Sequence, residues 1–118
     1  MILRHPEPDQ IRIDGVLSAL GNPVRLAAVA VLDAGGKHNC SSVLTVLGVT
    51  SKSTMTHHWR VLRESGVIWQ WPSGRENLLS LRREDLDARY PGLLDAILAG
   101  NRRDQQAARD HEAQSAGR

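Results

Sequence analysis

Cys40-Ser-Ser-Val-Leu-Thr-Val-Leu47, Gly48-Val-Thr50 and Ser51-Lys-Ser-Thr-Met-Thr-His-His-Trp-Arg-Val-Leu-Arg-Glu-Ser65 read as a helix, a tight turn and a second helix. In the first piece Cys40, Val43, Leu44 and Leu47 recur on one helical stripe. Gly48 stands where helices commonly stop. Ser51 is placed to cap the next helix by accepting a bond from a free backbone N–H. On that helix Met55, Trp59 and Leu62 share the inner side, while Lys52, Ser53, Thr56, His57 and Arg60 fall mostly on the other. A short helix, a turn and a second helix with a polar, basic outer face is the layout of a helix-turn-helix that reads the DNA major groove.

The residues that follow predict a wing. Val67-Ile-Trp-Gln-Trp71 is rich in strand formers, and Pro72-Ser73-Gly74 is a turn signal. Arg75-Glu-Asn-Leu-Leu-Ser-Leu81 returns as a second strand, with Asn77, Leu79 and Leu81 on one face. Ser73 and Arg75 on the hairpin loop are candidates for reaching phosphate or the minor groove.

Charge is distributed accordingly. The net charge is only +2. Basic and acidic groups balance over residues 1–40, and the last 36 residues carry one more acid than base. The excess lies at residues 41–82, where Lys52, Arg60, Arg63, Arg75 and Arg82 face only Glu64 and Glu76. That is where a phosphate footprint is expected.

At 118 residues the chain predicts one domain. Phenylalanine is absent, and three tryptophans and one tyrosine are the only aromatics, so Leu, Val, Ile and Ala must form the core. No apolar run approaches the ~18 residues of a membrane helix, and Met-Ile-Leu-Arg-His-Pro-Glu-Pro has no signal-peptide core. One cysteine excludes an internal disulfide and fits a reducing cytoplasm.

Residues 1–9, with two prolines, read as a flexible arm; 10–100 as the winged helix-turn-helix and dimerisation domain; and 101–118 as a polar tail, solvated or disordered at its end. Gln10 to Leu20 forms a helical pattern ended by Gly21. Asn22-Pro23 is a helix start, with Asn as cap and Pro at the first position. Val24 to Asp33 is apolar nearly all round except for Arg25, which marks a central helix. Pro91 opens a last helix with the stripe Leu93, Leu94, Ile97 and Leu98, which Gly100 is placed to end or fray. The two terminal stripes, Ile13, Val16 and Leu17 with Leu93, Leu94, Ile97 and Leu98, predict a homodimer, whose twofold axis would match two half-sites.

The ordered set Leu20-Gly-Asn-Pro-Val-Arg-Leu26, Thr54-Met-Thr-His-His-Trp-Arg-Val-Leu-Arg-Glu-Ser-Gly-Val67 and Gly74-Arg-Glu-Asn-Leu-Leu-Ser-Leu81 resembles the ArsR family of bacterial transcriptional regulators over about residues 10–100. The resemblance implies a mainly helical, α+β winged helix-turn-helix homodimer that represses promoters, often until an effector binds. Two departures stand out. Where metal-sensing members often carry Cys-x-Cys, this chain has Cys40-Ser41-Ser42. Where others carry Asp-x-His on the last helix, Asp95 is followed by Ala96 and Ile97, and His111 and Glu112 lie further on without a pairing motif.

Individual residues carry competing readings. Lys52 and Arg60 suit phosphate; His57 suits a groove contact; Thr54 and Thr56 suit a backbone oxygen or a thymine methyl. Each would otherwise be part of a solvated face. His58 falls near the apolar side and reads as structural. Trp59, where the family usually has leucine, reads as packing between the helix and the wing. Trp69 and Trp71 share a strand face and read as partly buried, either core or a patch for a ligand or partner. His38 and Cys40 offer one nitrogen and one thiolate, with His5 or Asp9 as a further ligand for a transition-metal effector; the alternative is a packed Cys40 and an exposed His38, with no cofactor required. Neither a phosphate loop nor a nucleophile–base pair marks an enzyme. The rival function is a winged-helix protein-interaction module that binds no DNA.

Overall fold

The structure is a computed structural model that describes residues 3–49 and 51–116. Thr50 in the expected turn, Met1 and Ile2 of the arm, and Gly117 and Arg118 of the tail lie outside the described residues. After a 3-10 turn at Pro8–Gln10, the elements run α1 (Ile13–Leu20), α2 (Pro23–Leu32), β1 (His38–Asn39), α3 (Cys40–Leu47), α4 (Lys52–Glu64), β2 (Ile68–Ser73), β3 (Glu76–Leu81), α5 (Arg83–Arg89) and α6 (Leu93–Ala116). The expected winged helix-turn-helix is present: among the described residues there are six α-helices and a small antiparallel sheet ordered β1-β3-β2.

Local chemistry explains the boundaries. Asn22 Oδ1 accepts from the N–H groups of Val24 and Arg25, and Pro23 takes the first helical position. Gly48 ends α3 at φ 69°, a left-handed conformation in which a side chain is strained. Ser51 Oγ accepts from Thr54 N–H and starts α4. α1 begins at Ile13, three residues later than the sequence pattern suggests, because Pro8–Gln10 forms its own turn. Ile11 is nevertheless buried.

The wing differs in detail. Pro72 and Ser73 pair with Asn77 and Glu76, so they belong to β2 and the turn is Gly74-Arg75. β1, unforeseen in the sequence, is two residues long and pairs with Leu78 and Leu79 of β3. A strand this short carries no readable period.

The core is aliphatic, as the composition requires. Ala28, Val29 and Leu32 of α2 are fully buried with Val43, Leu62, Val67, Ile68 and Leu79. Val16, Leu94 and Leu98 also belong to this monomer core, each 2% exposed. That corrects their assignment to a dimer seam: these side chains are buried within the monomer, and Val16 and Leu20 of α1 line one apolar pocket with Leu86, Tyr90, Leu93, Leu94 and Ile97. Of the expected seam, Ile13 and Leu17 remain exposed, while Leu93 and Ile97 are half-buried.

The described residues of the arm and the tail are more ordered than the sequence suggests. The expected loose arm is docked along β2. His5 Nε2 accepts from Gln70 N–H at 2.9 Å, and the Pro6 carbonyl accepts from Arg82 Nη1 at 2.8 Å. At Gly66, φ is 84° and an added Cβ would lie 2.5 Å from Ile11 Cγ1 and 3.3 Å from Pro6 Cγ. Only glycine admits so close an arm. At the other end α6 passes through Gly100 and stays helical to Ala116, with residues 102–115 exposed. Side-chain bonds from Gln106 to Asp110 and from Arg109 to Gln106 support this solvated stretch.

Arg82 ties the arm to the wing. Its side chain is fully buried, bonds Asp85 at 3.0 Å, and stacks with its guanidinium carbon 3.8 Å from the centre of the Trp69 ring. Arg83, next in sequence, joins Asp33 at the end of α2 to Asp87 of α5 and Asp95 of α6.

Arg82 is fully buried while Asp85 is partly exposed, so truncating Arg82 loses hydrogen bonds to Asp85 and the Pro6 carbonyl, and a hydrogen bond to a charged group is worth roughly 1.5–3 kcal/mol. Arg82→Ala is therefore expected to lower the free energy of unfolding by about 3 kcal/mol in urea titration, and Leu94→Glu to abolish the cooperative transition by placing a charge in the core.

Candidate nucleic-acid interface

α4 is an amphipathic helix split cleanly between two environments. Met55, His58, Trp59 and Leu62 are buried against the body of the protein, none more than 8% exposed. Lys52, Ser53, Thr54, Thr56, His57 and Arg60 are all exposed. Lys52 and Arg60 are eight residues apart, which is about 12 Å along a helix, close to the roughly 12 Å width of the DNA major groove. The structure thus brings the six candidate α4 residues onto one solvent-facing side, and puts Ser73 and Arg75 at the exposed tip of the wing.

The hydroxyls at the start of α4 are partly committed. Ser51 Oγ lies 3.1 Å from Ser53 Oγ and accepts from Thr54 Oγ1 at 3.0 Å. Thr56 Oγ1 donates to the Lys52 carbonyl. These bonds hold Thr54 and Thr56 in fixed rotamers, leaving the threonine methyl groups as their apolar contact surface.

Two of the five basic residues of the expected footprint are used internally. Arg82 is buried as described, and Arg63 is half-buried, donating from Nη1 to Gln70 Oε1 at 2.7 Å. The outward charge on this face is therefore Lys52, Arg60 and Arg75. A groove of about 490 Å³ separates α4 from the wing, walled by Thr56, Arg60 and Arg63 on one side and Gln70, Pro72 and Asn77 on the other, with Leu3 of the arm beside them.

His58 holds α4 to the body. Its Nδ1 lies 3.1 Å from Arg25 Nη1, and Arg25 Nε donates to the Ala19 carbonyl at 2.7 Å. Arg25 thus caps the end of α1 and binds the back of α4. Its only sequence signal was a lone charge on an apolar helix. Burial, then the charges of Arg25 and His57, hold His58 below its usual pKa. Facing a guanidinium, Nδ1 must accept, so the ring is neutral. Trp59 is buried between α4 and the wing. Trp69 is 38% exposed but pinned between Arg82 and His5, while Trp71 lies under Lys37 Nζ.

The metal candidates are kept apart. His38 bonds the Gly35 carbonyl and lies on β1, one edge of the sheet, whereas His5 lies beside β2, the other edge. Burial, then the nearby Glu76 carboxylate, pushes the Cys40 thiol up to about 11, so it is protonated at neutral pH. Glu76 accepts from Ser41 Oγ. Among the described residues no three His, Cys, Asp or Glu side chains converge as metal ligands.

Over 90 residues the chain is 31% identical to an uncharacterized HTH-type transcriptional regulator of Bacillus subtilis, YceK, spanning 75% of this chain and 88% of YceK. The chain belongs to the helix-turn-helix transcriptional regulators. No family model matches it. The regulator's fold is that of the ArsR-family proteins its motifs resemble. It superposes on a crystal structure of an ArsR family transcriptional regulator with a TM-score of 0.58 at 22% identity, covering 87% of this chain and 97% of that one. Against the transcriptional repressor BigR of Xylella fastidiosa the TM-score is 0.59 at 24% identity, covering 74% and 83%.

The histidines of the regulator make its stability pH-dependent. Burial, then Arg82 and Arg63, also hold His5 below its usual value. Both histidines titrate lower folded than unfolded. Their contribution is full above about pH 6.5 and is lost as pH falls through the folded values. The slope is at most about 1.4 kcal/mol per pH unit for each histidine. Urea unfolding between pH 7.5 and 5 is expected to show this loss, and His5→Gln with His58→Gln to flatten it.

Proposed function

We propose that this regulator works as a homodimer on double-stranded DNA, with α4 in the major groove and the wing tip on the adjacent backbone. The observation that carries this reading is the exposed face of α4, backed along its whole length by a buried stripe that fixes its orientation. Lys52 and Arg60 neutralise phosphates across the groove. His57, Thr54 and Thr56 lie between them, where base edges would be. Arg75 and Ser73 reach the backbone from the wing. A rigid helix that presents these groups together loses little entropy on binding.

Ile13 and Leu17, exposed on α1, and Leu93 and Ile97, half-buried on α6, supply the apolar surface for the second protomer. The two copies of α4 would then meet successive major grooves one helical turn apart. Such a protein represses by occupying a promoter, and no catalysis is assigned to it. A cytoplasmic location suits this role; among the described residues no single helix is long and apolar enough to cross a membrane. We take DNA binding to require no metal, a reading supported by the separation of His5 from His38 and by the protonated Cys40 thiol.

The test begins with duplexes selected by the wild-type protein from a random library. Lys52→Ala and Arg60→Ala are each expected to weaken binding and to lower the slope of log affinity against log salt by about 0.9, with unchanged thermal unfolding. Unaltered affinity and slope in both would remove this face from the interface. Leu17→Glu is expected to give a folded monomer by light scattering, with weaker DNA binding; a dimer of unchanged stability would remove α1 from the interface.

A further inference from the structure

We propose that the N-terminal arm is a third DNA-binding element, in which Arg4 contacts a backbone phosphate beside the wing; this rests on the reading of α4 and the wing as the DNA-facing side.

The path of the arm carries the inference. Pro6 lies at Gly66 and its carbonyl accepts from Arg82, at the base of the hairpin. His5 accepts from Gln70 N–H, further along β2. Leu3 lines the groove that contains Pro72, close to the wing tip. Traced from Pro6 back to Leu3, the arm therefore runs from the base of β2 towards its tip and delivers Leu3 between Arg60 of α4 and the wing.

Within this stretch Leu3 and His5 are both partly buried, whereas Arg4 between them is exposed. The arm thus holds Leu3 and His5 against the protein and leaves Arg4 exposed next to the groove that Leu3 and Arg60 line. Arg63 and Arg82, the nearest cations inside, are turned inward to Gln70, Asp85 and Pro6. Among the described residues of the arm before Glu7, no acid offsets Arg4.

The arm is also placed before DNA arrives. The His5–Gln70 bond, the His5 ring 5.1 Å from Trp69, and the Arg82–Pro6 bond fix the backbone next to Arg4. An ordered arm loses less conformational freedom on binding than a free tail would. Guanidinium is well matched to phosphate, to which it can donate two parallel bonds.

The experiment measures affinity against salt, from about 50 to about 200 mM, for the selected duplex and for an unrelated duplex. Wild type, Arg4→Ala, Arg4→Lys and His5→Ala are compared, with Arg60→Ala as control. Arg4→Ala is expected to weaken binding several-fold on both duplexes and to lower the salt slope by about 0.9 for each phosphate left without its cation. Arg4→Lys should keep the slope. His5→Ala, which leaves the charge but frees the arm, should weaken affinity while keeping most of the slope. Thermal unfolding of Arg4→Ala should match wild type. If Arg4→Ala binds as wild type does while Arg60→Ala is weakened, the arm proposal is overturned and the α4 reading stands. If neither substitution changes binding, or wild type retains no duplex at the lowest salt, both are overturned.

Discussion

The burial of Met55, His58, Trp59 and Leu62 along one side of α4 is the constraint on which the rest of the structure turns. Four inward side chains over two turns fix the rotation of the helix about its axis, and hence which residues face outward. A helix anchored at only one point could roll, and a polar face without a fixed direction reads nothing. Trp59 extends the anchorage to the wing side, so helix and hairpin share one packed interior. A smaller residue at that position would leave a gap that the otherwise mostly aliphatic core is poorly suited to fill.

Arginine does much of the structural joining in this chain. Arg25 links the end of α1 to the back of α4, Arg82 links the arm to the wing, and Arg83 links α2, α5 and α6. Each reaches acceptors on elements distant in sequence. The planar, many-donor guanidinium suits this work because it can satisfy several acceptors at once. With so few aromatics, long arginine stems also cover area that phenylalanine would otherwise fill. Net basic charge in the sequence therefore overstates the charge available to a polyanion, since two of the five cations in the helix-turn-helix and wing point inward.

Much of the fold was legible because its signals are local. Asn22-Pro23, Gly48, Ser51 and the apolar period of α4 each act within one or two turns, and the structure places them as caps, a stop and a buried stripe. The exposed set from Lys52 to Arg60 follows from the same period. What was not legible depends on residues that meet from far apart in sequence. Nothing near His5 announces that it will meet Gln70, 65 residues away, or that Arg82 will be buried rather than free. Val16, Leu94 and Leu98 look identical to interface residues until the folded monomer is seen to bury them. Prolines in the arm suggested looseness; packed against Gly66, Pro6 instead helps to seat it. α6 runs past Gly100 because a single glycine costs a helix only about 1 kcal/mol, less than the flanking turns supply.

The docked arm has a consequence for the life of the protein in a crowded cell. β2 is an outer strand, and outer strands invite pairing with other chains. In an antiparallel ladder alternate residues turn their N–H groups away from the partner strand, and the bond to His5 shows that Gln70 is one of these. Two residues on, Pro72 shares that phase and has no N–H to offer. The donors at positions 70 and 72 are thus one occupied and one absent, and the hairpin presents a broken edge to any strand that might add to it. The same few residues that lie along the wing guard the molecule against edge-to-edge aggregation.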